Sequence, residues 1–84
     1  MSLSQSDIHQ KIQEAMLALF KFEPERTGLE VKLKEDLDLD SSDAFDLINA
    51  LEEQTGLVLT PQDFKACVTV GDLVARLESL LRVA

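Results

Sequence analysis

The chain has 84 residues, 16 acidic and 8 basic side chains, a formal net charge of -8 and 45 % hydrophobic residues. Those figures describe one small domain, residues 1–84, with enough apolar material for a compact core. They exclude a disordered chain, a membrane span, for which no apolar run approaches about 18 residues, and nucleic-acid binding through phosphate contacts, which needs clustered Lys and Arg. No signal-peptide pattern opens the chain, and its one cysteine makes no internal disulfide. A monomeric, cytoplasmic protein that meets basic protein surfaces is expected.

The stretch Ser4 to Phe20 reads as a first helix. Ile8, Ile12, Ala15, Met16 and Leu19 share one face of a 3.6 repeat, Ser6 can cap the start, and Asp7 suits the first turn. From Lys21 to Asp40 the pattern changes. Pro24 and Gly28 interrupt a helix, and Leu29, Val31 and Leu33 alternate with polar residues as in a strand. No second strand is evident to pair with them, so an extended loop is expected, tucking alternate side chains onto the core. Loops of this length in small domains are often functional. Ser41 to Thr55 reads as the second helix, with Ala44, Phe45, Leu47, Ile48 and Leu51 on its apolar face, Asp40 as N-cap and Gly56 as the left-handed terminator. Thr60 and Pro61 open a short third helix through Ala66, anchored by Phe64. Thr69 caps the last helix, with Asp72 three residues on and Leu73, Val74, Leu77, Leu80 and Leu81 as its buried stripe. The sum is an all-α fold: a small four-helix bundle of three longer helices and one short third helix, with a long loop between helices 1 and 2.

The charge is local. Between Lys34 and Lys65 there is no Lys or Arg, and Glu35, Asp36, Asp38, Asp40, Asp43, Asp46, Glu52, Glu53 and Asp63 all lie in that stretch. A solubilising face accounts for such a run unless a chemical feature lies within it.

The search for that feature eliminates more than it finds. His9 sits at the rim of the first helix's apolar face and reads as a solvated side chain, without a second histidine or nearby cysteine to hold zinc. Cys67 reads as a buried small hydrophobe; a Cys–His pair would need the fold to bring it to His9. The run Asp36 to Asp40 begins like a calcium loop. Counted from Asp36, however, Ser41 stands where such a loop needs Gly and Leu47 where it needs a bidentate Glu. No Gly-rich phosphate loop and no supported Ser–His–Asp arrangement exist. What remains is Asp40-Ser41 at the mouth of the second helix. Backbone N–H groups there lack intrahelical partners and the helix dipole is positive, so a phosphate on the Ser41 hydroxyl would be well placed. Ordinary capping by Asp40 or Ser41 explains the same residues, and this reading leaves both open.

At these residues the chain resembles the acyl carrier proteins, the phosphopantetheine-dependent carrier family. Glu35 to Ser41, then Asp43, then Leu47 to Glu53 are similar to the family signature, in which an Asp-Ser pair opens the second of four helices. The likeness extends over the whole chain in size, helix order, long first loop and acidic middle. It implies that Ser41 receives 4′-phosphopantetheine from coenzyme A by the action of a separate phosphopantetheinyl transferase, and that the chain itself is no enzyme and needs no catalytic residues or metal of its own. It further implies that Asp40, Asp43, Asp46, Glu52 and Glu53 meet basic surfaces of acyl-processing synthases and transferases, which steers encounter. Two positions depart from the pattern. Ser42 stands where the family usually has Leu or Met, and Asp38 where it usually has Gly. Fatty acid, polyketide or related synthesis is the implied setting. The alternatives are an aminoacyl or aryl carrier of a nonribosomal-peptide type, or an unmodified carrier-like interaction module.

Overall fold

The computed structural model describes residues 4–83. They form four α-helices: α1 (Gln5–Phe20), α2 (Ser41–Thr55), α3 (Pro61–Ala66) and α4 (Val70–Val83), with one 3-10 turn at Pro24–Arg26. α1 packs against both α2 and α4, and α3 rests on α2. The core is made by Ile8, Ile12 and Met16 of α1, Leu47 and Leu51 of α2, and Leu73 and Leu77 of α4, with Leu33 from the long loop. The expected bundle and its long loop are therefore present.

Each helix starts with the same short device. Ser4, Asp40, Thr60 and Thr69 each accept the N–H of an aspartate three residues on, and that aspartate accepts the backbone N–H of the capping residue. Two donors that the helix leaves unpaired are satisfied at once. The device moves the start of α1: its cap is Ser4, paired with Asp7, and not Ser6. A cap at Ser6 would place His9 at the third position, and a histidine cannot return the bond as a carboxylate does. Gly56 ends α2 with φ +73°, the left-handed turn expected of it.

Three apolar side chains leave the core that their spacing promised. Leu19 is 42 % exposed, because the last turn of α1 is covered instead by Phe20 and Phe22 on either side of the left-handed Lys21. Phe45 is 55 % exposed, since it lies about 100° around α2 from Ala44, beyond the edge of the buried face. Leu29 is also exposed: the chain turns between Gly28 and Val31, which breaks the alternation before Leu33 reaches the core.

The loop is tied down more firmly than an extended strap. Its middle pairs antiparallel with the segment entering α4, through an isolated bridge between Lys32 and Thr69. Leu33 N–H donates to the Val68 carbonyl, Val70 N–H to Val31, and Gly71 N–H to Leu29. The partner missing from the sequence reading is thus the stretch before α4. A side chain at Gly71 would stand 3.0 Å from the Leu29 carbonyl, so glycine permits this close approach. After Lys32 the loop makes one helical turn, and Leu37 and Leu39 enter the core while Asp36, Asp38 and Asp40 face solvent. The run that begins like a calcium loop is a half-buried alternation. Among the described residues no group of His, Cys, Asp or Glu could hold a metal ion. Asp38 takes φ +53°, a left-handed conformation that glycine adopts freely and aspartate tolerates. Among the described residues no helix is long and apolar enough to cross a membrane.

Candidate functional site at the start of α2

Asp40 caps α2: its Oδ1 accepts the Asp43 N–H at 2.9 Å, and Asp43 Oδ2 accepts the Asp40 N–H at 3.3 Å. This decides between the two capping residues left open by the sequence. It places Ser41 at the first helical position, exposed, with no hydrogen-bond partner for its hydroxyl among the described residues. The adjacent Ser42 is exposed too, farther around the helix.

Ser41 opens on a cleft of about 320 Å³ between α2, α3 and the loop. Leu33, Leu39, Ala44, Phe45, Pro61 and Phe64 give it apolar walls, while Lys34, Asp40, Ser41, Lys65 and Cys67 complete the lining. The acids expected to meet partners divide into two kinds. Asp40 and Asp43 are engaged in the cap. Asp46, Glu52 and Glu53 are exposed along α2 and have no ion-pair partner among the described residues. At about 100° per residue, Ser41, Phe45, Asp46, Glu52 and Glu53 fall within an arc of about 140°. One exposed face of α2 therefore presents the hydroxyl, an aromatic ring and three carboxylates together.

The other candidates lie elsewhere. His9 is half-buried rather than solvated: its Nε2 donates to the Thr27 carbonyl at 2.8 Å, bridging α1 to the loop and fixing the proton on that nitrogen. Cys67 is half-buried rather than fully buried, and its thiol donates to the Asp63 carbonyl at 3.3 Å. Burial, and then the charge of Asp72, push its pKa up, which disfavours the thiolate a nucleophile requires. Each side chain thus has its own partner, and the two do not form a pair. Asp63, the last acid of the stretch without basic residues, has a structural part. The Thr60 backbone N–H and hydroxyl and the Arg76 guanidinium, in that order, hold its carboxyl below the usual range. Arg76 Nε donates to Asp63 Oδ1 at 2.9 Å, which links α3 to α4.

The start of α2 thus sets an unbonded hydroxyl beside an apolar cleft and a charged helix face. Comparison with known proteins gives the family. The profile of the phosphopantetheine attachment site family matches residues 10–77. The chain is 39 % identical over 79 residues to acyl carrier protein 2 of Ralstonia nicotianae, covering 94 % of this chain and 98 % of that protein. It is 32 % identical over 72 residues to the acyl carrier protein of Thermosynechococcus vestitus, covering 86 % and 89 %. It is 33 % identical over 72 residues to that of Wolinella succinogenes, covering 86 % and 95 %. The chain belongs to the acyl carrier protein family, whose members are carriers rather than enzymes and hold 4′-phosphopantetheine covalently. The start of α2 fits such a group: a free hydroxyl at an exposed helix N-terminus, with room beside it.

Proposed function

We propose that Ser41 is the attachment point of 4′-phosphopantetheine and that residues 1–84 act as one acyl-carrier domain. The observation that carries this is the Ser41 hydroxyl, unbonded and exposed at the first position of α2. When bound, the group supplies a thiol that holds acyl intermediates as thioesters. The chain's own part is to present and to be recognised. Asp40 fixes the helix start, which keeps Ser41 at the exposed first position of α2. The walls around Phe64 and Leu39 offer an apolar surface on which cargo can shelter from water.

Asp46, Glu52 and Glu53, with Asp40 and Asp43, meet basic patches on the transferase and on acyl-processing enzymes. Their attraction raises encounter rates and weakens with salt. The setting we infer is fatty acid, polyketide or related synthesis in the cytoplasm, with the carrier acting as a monomer. The relatives named as acyl carriers favour this over an aminoacyl or aryl carrier. The test is incubation of the purified apo-protein with coenzyme A, magnesium and phosphopantetheinyl transferases from the same genome. Intact mass rises by one phosphopantetheine, Ser41→Ala abolishes the gain, and Ser42→Ala retains it. No gain with any of those transferases would sink the reading.

A further inference from the structure

The stretch without basic residues has a lysine at each end, Lys34 and Lys65, far apart along the chain. The fold brings them to one place. Lys34 comes from the loop and Lys65 from the last turn of α3, and both line the cleft on which Ser41 opens. Both are exposed, and neither ammonium group has a hydrogen-bond or ion-pair partner among the described residues. What sets these two apart from the other unpaired cations, Lys11 and Lys21, is that they line the cleft of Ser41. Lys32 and Arg76 do have carboxylates, on Glu35 and Asp63. Asp40 lines the same cleft, yet its carboxylate is turned to the backbone N–H of Asp43.

We propose that Lys34 and Lys65 form a two-sided cation site for a phosphate ester carried on Ser41, and that they set the direction in which the attached group leaves the helix. The inference rests on the reading of Ser41 as the attachment residue. A phosphate there brings negative charge to a helix start already occupied by Asp40 and Asp43. The positive end of the α2 dipole is partly taken up by those two side chains. Two cations, one from the loop and one from α3, supply the missing charge. Lysine suits the task, because its ammonium is a compact point charge on a flexible stem and follows the oxygens without a fixed fork geometry. Both cations lie on the cleft side of Ser41, so they draw the group towards the walls of Leu39 and Phe64. They are positioning residues, and transfer of the group to Ser41 needs neither of them.

The test is a full-length chain with phosphoserine at position 41, which separates the charge site from the transferase reaction. The second ionisation of phosphoserine lies near pH 6. Nearby cations favour the dianion, so removing them raises its titration midpoint in phosphorus NMR. The other charged and titratable groups at the cleft and cap, Asp40, Asp43 and Cys67, are the same in every chain compared. Lys34→Gln with Lys65→Gln is expected to raise the midpoint by about half a pH unit, each single change giving part of that. Salt shrinks the difference, and the distant Lys21→Gln leaves the midpoint where it was. Circular dichroism verifies that every variant keeps its helix content. Equal midpoints in the double variant and the parent overturn the proposal. If the wild type gains one phosphopantetheine while the midpoints are equal, the attachment reading stands and the cation site falls. A raised midpoint with no mass gain from any transferase overturns the attachment reading, and with it the arm as occupant of the site.

Discussion

α2 and α3 begin alike and finish the job differently. Asp40 with Asp43, and Thr60 with Asp63, form the same reciprocal cap. At α3 the device is then closed off. Pro61 fills the first helical position, the Thr60 hydroxyl donates to Asp63, and Arg76 neutralises that carboxylate from α4. At α2 it is left open. Ser41 fills the first position with a free hydroxyl, Asp43 meets no cation among the described residues, and Asp46, Glu52 and Glu53 extend the bare charge along the helix. The two starts share the cleft, to which α3 contributes Pro61 and Phe64 of the apolar walls and α2 the hydroxyl. The difference shows that the same capping device ends as a closed or an open helix start according to what the rest of the fold supplies.

The strongest way to break this contrast is to remove the wall. Phe64 is the buried residue of α3, and a helix of six residues has too few internal bonds to persist alone. Phe64→Ala should cost about 3 kcal/mol of unfolding free energy, read by urea denaturation. It should also abolish the protection of α3 amides from hydrogen exchange while leaving α1 and α4 protected. A loss below about 1 kcal/mol would mean that α3 is held by something other than its wall.

A smaller effect should separate the two starts by pH. The Asp63 carboxyl is held below its ordinary 3.8 by its bonds in the folded chain. A group depressed in this way stabilises the fold above its unfolded value, and that contribution is lost as pH falls through the folded value. Asp63→Asn should therefore lower Tm at pH 6, and the gap to the wild type should close progressively below about pH 4. A gap independent of pH from 2 to 6 would show that the amide loses packing, not charge.

The smallest expected effect concerns the open charge of α2. Raising salt from about 20 mM to about 500 mM, which contracts the screening length several-fold, should raise Tm by a few degrees as repulsion along the acidic helix is screened. Replacing Asp46, Glu52 and Glu53 with their amides should remove most of that rise. A flat Tm across salt would place the self-repulsion elsewhere.

Much of this molecule was legible before folding, for a definite reason. Three of the four helix starts, at Asp40, Thr60 and Thr69, are legible in the sequence, because a cap needs only a side chain and a backbone N–H three residues on. At α1 the cap is Ser4 and not Ser6, because only Ser4 has a carboxylate, Asp7, three residues on to return the bond. The buried faces of α2 and α4 follow from the 3.6 repeat, but the repeat gives a direction and not an extent: Phe45 at the edge and Leu19 at the end are exposed, and Leu80 and Leu81 are only half-buried. Leu37 and Leu39 alternate with Asp36, Asp38 and Asp40, a strict alternation that signals a half-buried segment.

The sequence by itself determined that the chain is a small helical bundle with one acidic stretch and a serine at the mouth of its second helix, since caps, periodicity and charge are properties of neighbours along the chain. Only the tertiary structure decided that the Ser41 hydroxyl opens on a cleft between α2, α3 and the loop, that His9 is spent on Thr27, and that Lys34 and Lys65 arrive at that cleft. Those facts depend on which surfaces meet when α1 packs on α2 and α4 and when α3 rests on α2. They are set by burial of side chains distant in sequence, and no local spacing encodes them.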